Sequence, residues 1–401
     1  MSPYSVAMVA ACPFPANHGT PAAIREMSET LAAIGHSIHV VTYPLAEEIP
    51  VRGVAIHRVR HVGKNREIMV GPSYRRLLFD AFMVPELCRL IRKKKIDVIH
   101  AHNYEGALIG YAAKKITSRP LIYNAINTMI SELPSYGFIR PRAAAVGLAR
   151  ALDFFVPRMA DFIIADTAEL KTFILSKGVP PERVEVVPSG VNVEMFEGGD
   201  GSRIREKLNI GRRPLVIYTG TFDRFQGVDY LLRGFEAVHR ESPDAVLLLL
   251  GSTVNPRHAE EYRQMADGLG IGNSLIIENG SIDVLPGYLA AADVAVVPRP
   301  SSPGIPTKLL NYMAAGKAIV SFEGSACGLK HMVNALLVEG DDWEKLGQAM
   351  LRLIRDKTLA ARIGAAAKNG IRGTLDWRTI AARLEKIYAR VLGNPQIEEA
   401  Y

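Results

Sequence analysis

The segment around residue 300 contains the densest group of side chains that could bind an anion. Arg299 and Lys308 supply positive charge, and Gly304 between them allows a backbone to approach a ligand closely. Thr307 stands where it could cap a helix predicted to start at Lys308, and the dipole of that helix also favours an anion. Asn311, on the same helical side, could bond ribose hydroxyls, although taken alone it fits an ordinary amphipathic helix better.

Two other loops in the second half of the sequence have unusual content. Arg224 lies between Gly220 and Gly227, in a loop that directly precedes a predicted helix. Its guanidinium can donate two parallel hydrogen bonds to a phosphate. The stretch from Glu278 to Ile282 is of a size that lets backbone groups meet a flat base. Both loops follow predicted strands, so they belong to the same candidate site.

Three loops in the first half also carry polar groups. Gly19 and Thr20 precede a predicted helix whose N-terminus suits a phosphate, although a tight turn with an N-cap is the simpler interpretation. His102 follows a predicted strand and could handle a proton or serve only as a structural histidine. Asn127 follows the strand predicted for residues 121–125, where a cap and a sugar contact are equally good explanations.

The elements that must position these residues form a regular series. Short β-branched runs alternate with helical patterns, which predicts an α/β fold of two doubly wound parallel sheets. We predict a first domain over residues 1–190, a second over residues 191–375, and a last segment, 376–401, whose helix crosses back to the first domain. Because ligands of such sheets bind beyond the carboxyl ends of the strands, the loops above are the expected binding regions.

Length and composition agree with two domains. The 401 residues exceed the roughly 250–300 at which one hydrophobic core stops growing. The longest uncharged stretch, Met1 to Ile24, is interrupted by prolines and has no basic start, so we predict neither a membrane span nor a secretory signal. Cys12, Cys88 and Cys327 are too far apart to indicate a disulfide framework or a zinc site, and a cytoplasmic location fits best.

Positive charge is concentrated in the first half. Residues 1–190 contain 23 Lys and Arg against 16 Asp and Glu, whereas residues 191–401 contain 25 of each. Residues 58–95 gather many of these cations around the apolar run Leu77–Val84, a plausible patch for an anionic membrane surface on the inner face of the cell membrane. A solvated basic face explains the charge equally well. The cations are Arg58, Arg60, Lys64, Arg66, Arg75, Arg76, Arg89, Arg92, Lys93, Lys94 and Lys95.

Several motifs, in this order and spacing, resemble the family-4 retaining glycosyltransferases. The motifs are Gly35-His36, Asp97-Val-Ile-His-Ala-His102, Ala160-Asp161, Val187-Pro-Ser-Gly-Val-Asn192, Gly227-Val-Asp-Tyr-Leu-Leu232, Ala292-Asp293-Val294 and Tyr312-Met-Ala-Ala-Gly-Lys-Ala-Ile-Val320. The resemblance covers nearly the whole chain and implies the GT-B architecture, in which two Rossmann-like domains face a central cleft. It implies a metal-independent transfer of a hexose, with retained configuration, from a nucleotide-diphosphate sugar to a glycan or lipid-linked acceptor in cell-envelope polysaccharide or glycolipid synthesis.

The resemblance also implies roles for individual residues. The acceptor would bind the first domain and the nucleotide sugar the second, with His102, Asn127 and Lys308 as the catalytic candidates. The donor-binding candidates are Gly19, Thr20, Arg224, Ile282, Arg299, Gly304, Ile305, Thr307 and Asn311.

The sequence departs from the family pattern at its polar contacts. The two glutamates usually found eight positions apart are replaced by Pro303 and Asn311, and the lysine expected before Gly227 is Gln226. The arginine expected after Gly220 is Thr221, and the histidine expected after residues 121–125 is Ile126 or Asn127. We expect Arg224, Arg299 and Lys308 to restore positive charge against the diphosphate.

No Asp-x-Asp pair occurs in the sequence, so no divalent cation or other cofactor is predicted. Two other functions compete with transfer. The missing glutamates would suit an inert sugar-nucleotide-binding partner protein, and a sugar-nucleotide epimerase would need carboxylates and histidines that these loops mostly lack. Nucleic acid is not an expected partner, because the basic residues lack interleaved aromatic side chains.

Overall fold

The computed structural model describes residues 3–16, 19–61, 74–134, 139–251, 256–302 and 305–393. Its chain divides into two compact units. The first unit consists of Met1–Gly190 together with Trp377–Tyr401, and the second unit is Val191–Asp376. Each unit contains one parallel sheet with helices, so the predicted pair of doubly wound α/β domains is confirmed.

The first unit contains a seven-stranded sheet. Its helices lie between the strands along the chain, except for the last helix. That helix follows the whole second unit in the sequence but belongs to the first unit. The elements are β1 (Ser5–Ala10), α1 (Gly19–Ala33), β2 (Ser37–Thr42), β3 (Val54–Arg58), α2 (Tyr74–Lys94), β4 (Val98–His102), α3 (Asn103–Thr117), β5 (Leu121–Ala125), α4 (Met129–Glu132), α5 (Arg142–Met159), β6 (Phe162–Ala165), α6 (Ala168–Ser176), β7 (Val184–Val186) and, last in the chain, α14 (Trp377–Val391).

The second unit contains a six-stranded sheet. The elements are α7 (Gly201–Lys207), β8 (Leu215–Thr219), α8 (Val228–Glu241), β9 (Val246–Gly251), α9 (Pro256–Gly268), β10 (Leu275–Asn279), α10 (Leu285–Ala291), β11 (Val294–Val297), α11 (Thr307–Ala314), β12 (Ala318–Phe322), β13 (Leu336–Val338), α12 (Trp343–Arg355) and α13 (Lys357–Ile371).

The two sheets share one strand order. The first runs β3-β2-β1-β4-β5-β6-β7 and the second β10-β9-β8-β11-β12-β13, all strands being parallel. In each sheet the first strand of the unit lies in the interior, and the later strands are added first on one side of it and then on the other. This reversal falls between β1 and β4 in the first sheet and between β8 and β11 in the second. Loops that leave such a pair of strands diverge to opposite faces, and the crevice between them is where open α/β sheets bind ligands.

Burial explains why these segments form strands and helices. All residues of β4, β5, β8 and β9 are buried, as expected for parallel strands covered on both faces. The helix α8 instead buries one stripe, formed by Val228, Leu231, Leu232, Phe235 and Val238, and exposes the opposite side.

Three predicted boundaries near candidate residues were wrong. The first helix begins at Gly19, so Gly19 and Thr20 are its first residues and do not precede it. Strand β4 continues through His102, because this residue pairs with Asn124 of β5 in the sheet register. Helix α11 begins at Thr307, one residue earlier than predicted, and Pro306 occupies the capping position without a side-chain hydrogen bond. Thr307 therefore does not cap this helix.

Candidate active site

The crevice between β8 and β11 brings together the loops that follow these strands. Gly227 has a φ of +72°, and a Cβ at this position would lie 2.3 Å from the carbonyl oxygen of Pro298. No side chain could be accommodated at that distance, so glycine allows the backbones of the two loops to touch. Tyr312 of α11 ties its helix to the same place, since its hydroxyl accepts hydrogen bonds from the Thr219 amide at 2.8 Å and the Thr219 hydroxyl at 3.1 Å.

Lys308 lies at the centre of this crevice. Its Nζ donates to the Tyr218 hydroxyl and to the Gln226 Oε1, both at 2.8 Å, and sits 4.0 Å from the centre of the Tyr218 ring. Burial, and secondarily the positive charge of Arg299, hold the pKa of Lys308 well below its usual range. An anion that enters beside this amine would stabilise its charged form.

Two arginines accompany the lysine. Arg299 donates from Nε to the Ser301 carbonyl at 2.7 Å, and its guanidinium lies 5.0 Å from the centre of the Phe225 ring. Arg224 begins the short 3-10 turn before Gly227 and is exposed. The loops around the crevice therefore carry two arginines and an amine whose charged form an anion would stabilise, an arrangement suited to a diphosphate.

The remaining predicted donor contacts divide into three groups. Asn311 is buried one turn after Lys308 on α11, while Thr307 is exposed at the start of that helix. Ile282 and Ile305 are half-buried against the same hydrophobic cluster of the second unit. Gly304 lies outside the described residues, as does Pro303.

The corresponding edge of the first sheet carries neutral groups. The rings of His100 and His102 stack at 4.6 Å, and the Nδ1 of His100 lies 2.8 Å from the Tyr388 hydroxyl of α14. Burial lowers the pKa of His100 to about 3, and burial together with His100 lowers the pKa of His102 well below its usual value. Both rings are therefore neutral at pH 7 and can accept a hydrogen bond or a proton.

Buried side-chain atoms without partners among the described residues occur where β4 and β5 end. The Nδ1 of His102 is 3.5 Å from the Asn124 Nδ2, but its Nε2 has no hydrogen-bond partner among the described residues. The same is true of the side-chain oxygens of Asn103 and Asn127. Since most buried polar groups are bonded, these atoms mark a place where a polar ligand would fit.

Gly19 and Thr20 form the start of α1. Gly19 has a φ of +47°, and a Cβ there would meet nothing within 4 Å. The first turn of α1 carries no acidic residue, so its N-terminal amides face no competing carboxylate from their own turn.

The basic stretch 58–95 has two different parts in the structure. Arg92, Lys93, Lys94 and Lys95 are exposed at the end of α2. By contrast, Arg76 donates to the Ala11 carbonyl at 3.4 Å and stacks over the Tyr43 ring.

The apolar run within this stretch is likewise divided. Phe79 and Met83 are buried in the core, and Leu77 and Leu78 are exposed. Lys64 and Arg66 lie outside the described residues. None of the helices in the described part of the chain is long and apolar enough to cross a membrane.

An acidic group that the sequence did not indicate lies beside Arg76. The Tyr43 hydroxyl donates to Asp80 at 2.6 Å, and burial, against the opposing effect of this bond, raises the pKa of Asp80 to about 6. The negative charge of Glu105 contributes to the same rise. The charge of Glu105 thus raises the pKa of both Asp80 and Tyr43. His102, three residues before Glu105, contacts a different group, because its ring stacks on His100.

Tyr218 and Gln226 are residues of the crevice that were not among the predicted site residues. Tyr218 is the one aromatic residue of β8 and follows the aliphatic residues 215–217. This contrast is the feature of the sequence that could have indicated a special role for Tyr218. Gln226 was noted only as the replacement for the lysine expected before Gly227, and its bond to Lys308 could not be predicted because that lysine lies 82 positions later in the chain.

Comparison with known proteins identifies the family. Residues 18–195 match the family model described as Glycosyltransferase Family 4, and residues 213–356 match that described as Glycosyl transferases group 1. A D-inositol 3-phosphate glycosyltransferase of Streptosporangium roseum is 26% identical over 396 residues, covering 92% of this chain and 88% of the relative. A GDP-mannose-dependent alpha-(1-6)-phosphatidylinositol monomannoside mannosyltransferase of Mycolicibacterium smegmatis is 27% identical over 326 residues, covering 76% and 81%.

Solved structures agree with the fold. The crystal structure of Anabaena Alr3699/HepE in complex with UDP superposes with a TM-score of 0.72 at 17% identity and covers 96% of this chain and 100% of that one. Fold and family matches together define an enzyme that transfers glycosyl groups, built from two Rossmann-like units of the GT-B type. The chain therefore carries a Glycosyltransferase Family 4 domain followed by a Glycosyl transferases group 1 domain.

Proposed function

We propose that this enzyme moves a hexose from a nucleotide-diphosphate sugar to a hydroxyl of a glycan or lipid-linked acceptor, with retained anomeric configuration. The observation that carries the proposal is the group of Lys308, Arg299 and Arg224 around the crevice between β8 and β11, with Asn311 buried one turn beyond the lysine. Such a group fits a diphosphate and a ribose. The second unit is then the donor-binding domain.

The fixed cations would stabilise the leaving group without a metal ion. As the bond between the anomeric carbon and the diphosphate breaks, negative charge develops on the phosphate oxygens beside Lys308 and Arg299. The acceptor oxygen bonds to the anomeric carbon on the same face, and its proton passes to a departing phosphate oxygen. This route balances protons without a base on the second unit.

The first unit would bind the acceptor. His102 Nε2 and the side-chain oxygen of Asn127 are buried acceptor atoms without partners in the described chain, which suits hydrogen bonds from acceptor hydroxyls. The two relatives are named for an inositol 3-phosphate and a phosphatidylinositol monomannoside. This favours a polyol or glycolipid acceptor and a role in cell-envelope glycolipid or polysaccharide synthesis.

The exposed cations at the end of α2 support peripheral binding to an anionic membrane from the cytoplasmic side. About 1 kcal/mol per basic residue near such a surface makes four of them enough for reversible binding. Flotation with vesicles of phosphatidylcholine and 30% phosphatidylserine, roughly the anionic content that attracts polybasic segments, tests this part. Wild-type protein should float at low salt, and a variant with residues 92–95 changed to glutamine should stay at the bottom.

The transfer itself is tested by a donor panel. Thermal shift with UDP, GDP and ADP sugars selects the base, and the selected donor is then incubated with glycolipid and polyol acceptors in the presence of EDTA. A new glycoside, with its anomeric configuration assigned by NMR, supports the proposal. Binding without any glycoside would favour an inert binder, and a changed free sugar nucleotide would indicate an epimerase.

A further inference from the structure

The amine of Lys308 is held by side chains from a different segment of the chain. The lysine is carried by α11, while both of its hydrogen-bond acceptors, Tyr218 and Gln226, belong to β8 and the loop after it. The Tyr218 hydroxyl in turn donates to the Thr221 carbonyl at 2.6 Å, so its oxygen is turned toward the amine as an acceptor. A neutral amine has two N–H groups, and these two bonds use both; protonation adds a third.

Space for the amine is also provided. Gly220 has a φ of +133°, and a Cβ at this position would lie 2.9 Å from Nζ and 3.1 Å from the Cε of Lys308. A larger residue would therefore displace the amine from its two partners. The glycine therefore leaves room for the amine beside β8.

The charged groups around the amine do not neutralise it. Arg299 approaches from the loop after β11, and its charge disfavours a second cation. Arg224 and Asp223 lie on the β8 loop, but in the described part of the chain no carboxylate forms an ion pair with Lys308 and no acid contributes to its pKa shift. Lys308 is half-buried, and its ammonium form has no counter-ion among the described residues. An anionic ligand would supply that partner.

We propose that Tyr218 and Gln226 are positioning residues that hold the Lys308 amine ready, and that this amine takes up a proton when the diphosphate of the donor binds. The diphosphate is then the counter-ion that the crevice lacks, and the third N–H points to it. This inference rests on the proposed function, because it assumes a nucleoside diphosphate in the second unit.

The test is isothermal titration calorimetry of UDP, GDP and ADP at pH 8 in two buffers of different ionisation enthalpy, chosen to lie near that pH. Wild-type enzyme should take up a substantial fraction of one proton with the nucleotide it binds. Lys308→Met should bind about 10- to 100-fold more weakly, the loss expected for one charged hydrogen bond, and should take up none of that proton. Affinity of the wild type should fall as pH rises, since binding needs the proton.

The variant Gln226→Glu tests whether Gln226 controls the protonation of Lys308 or only supports the fold. A carboxylate at this place would pair with Lys308 in the free enzyme and keep it charged, so proton uptake should vanish although the lysine is intact. Affinity should also drop, because the carboxylate competes with the diphosphate. Gln348→Glu makes the same chemical change at an exposed position of α12 and should keep wild-type affinity and proton uptake.

Tyr218→Phe keeps the ring and removes the hydroxyl, and should weaken binding less than Lys308→Met. Unfolding temperatures check that each variant is folded. Wild-type binding without proton uptake, or uptake that survives in Lys308→Met or Gln226→Glu, would overturn the inference and leave the proposed function standing. If none of the three nucleotides binds, the proposed function is wrong and the inference falls with it.

Discussion

The two sheets have the same strand order but opposite chemistry at the point where that order reverses. In the first unit the edge carries the neutral rings of His100 and His102, whereas in the second it carries Lys308, Arg299 and Arg224. Net charge would suggest the reverse, since all the excess positive charge lies in residues 1–190. The comparison teaches that the placement of a few side chains decides what a domain can bind, and its total charge does not.

The largest effect should come from the centre of the cationic crevice. Lys308→Met should lower kcat/KM about 100- to 1,000-fold, the range for removing one preorganised donor from developing negative charge. Lys330→Met, an exposed lysine of the same unit, is the matched control and should retain activity. Steady-state transfer assays measure both variants. An equal loss of kcat/KM in the control would show that the effect is not specific to the crevice.

A smaller effect, and on the other substrate, is expected from the neutral edge. His102→Gln keeps a polar side chain of similar size, and we expect kcat/KM for the acceptor to fall about 10- to 100-fold, as for a lost hydrogen bond to a reacting group. The dissociation constant of the nucleotide should not change. Should nucleotide affinity fall as much as acceptor kcat/KM, the assignment of one substrate to each unit would be wrong.

Arg299→Gln should weaken nucleotide binding by roughly ten-fold, since the guanidinium is partly exposed and its charge is screened by solvent. The wild-type affinity should therefore decrease with added salt more steeply than that of the variant. Arg257→Gln on the exposed side of α9 serves as the comparison. Identical salt slopes in wild type and Arg299→Gln would show that Arg299 does not meet the phosphates.

The smallest effect concerns stability of the first unit. The pKa of His100 is lowered in the folded state, so the unfolded chain binds a proton that the folded chain does not once pH falls below about 6.5. Relative to the non-titrating variant His100→Gln, wild type should lose about 1.3 kcal/mol between pH 7 and pH 5.5. That corresponds to roughly 2–5 °C in unfolding temperature.

The two tryptophans allow this measurement for each unit separately. Trp377 belongs to the first unit and Trp343 to the second. In a Trp343→Phe background the fluorescence of Trp377 should show the difference between wild type and His100→Gln, and in a Trp377→Phe background Trp343 should not. A pH-independent difference in the first background would mean that His100 is not neutral in the fold.

Much of the fold was predictable because the strands and helices of a parallel α/β sheet have a clear pattern of apolar residues in the sequence. Fully buried strands such as Leu121–Ala125 and Val294–Val297 are short β-branched or aliphatic runs, and the helices between them have one apolar stripe. No element was predicted for residues 322–376, which contain β13, α12 and α13. The strand Leu336–Val338 has three residues, too few for a periodic signal.

The site was predictable only as far as single segments reveal it. Arg299, Lys308 and Asn311 lie in one segment with a glycine, so their proximity followed from spacing along a loop and a helix. The bond from Lys308 to Gln226 and the stacking of His100 on His102 depend on strand pairing and on β4 extending two residues further than predicted. The hydrogen bond from Tyr43 to Asp80 has no counterpart in the local sequence. The predicted roles of the individual residues remain predictions.

Helix α14 is covalently the end of the chain but structurally part of the first unit, to which it is joined by a bond from the Trp377 indole to Glu26 at 2.5 Å and from Tyr388 to His100. On the ribosome, therefore, the second unit has all of its residues before the first one does. The N-terminal half emerges early, but α14, which shares a hydrophobic cluster with Leu31 and Val40, is made only afterwards. A stop codon placed at residue 377 would therefore leave the second unit whole and the first unit without α14.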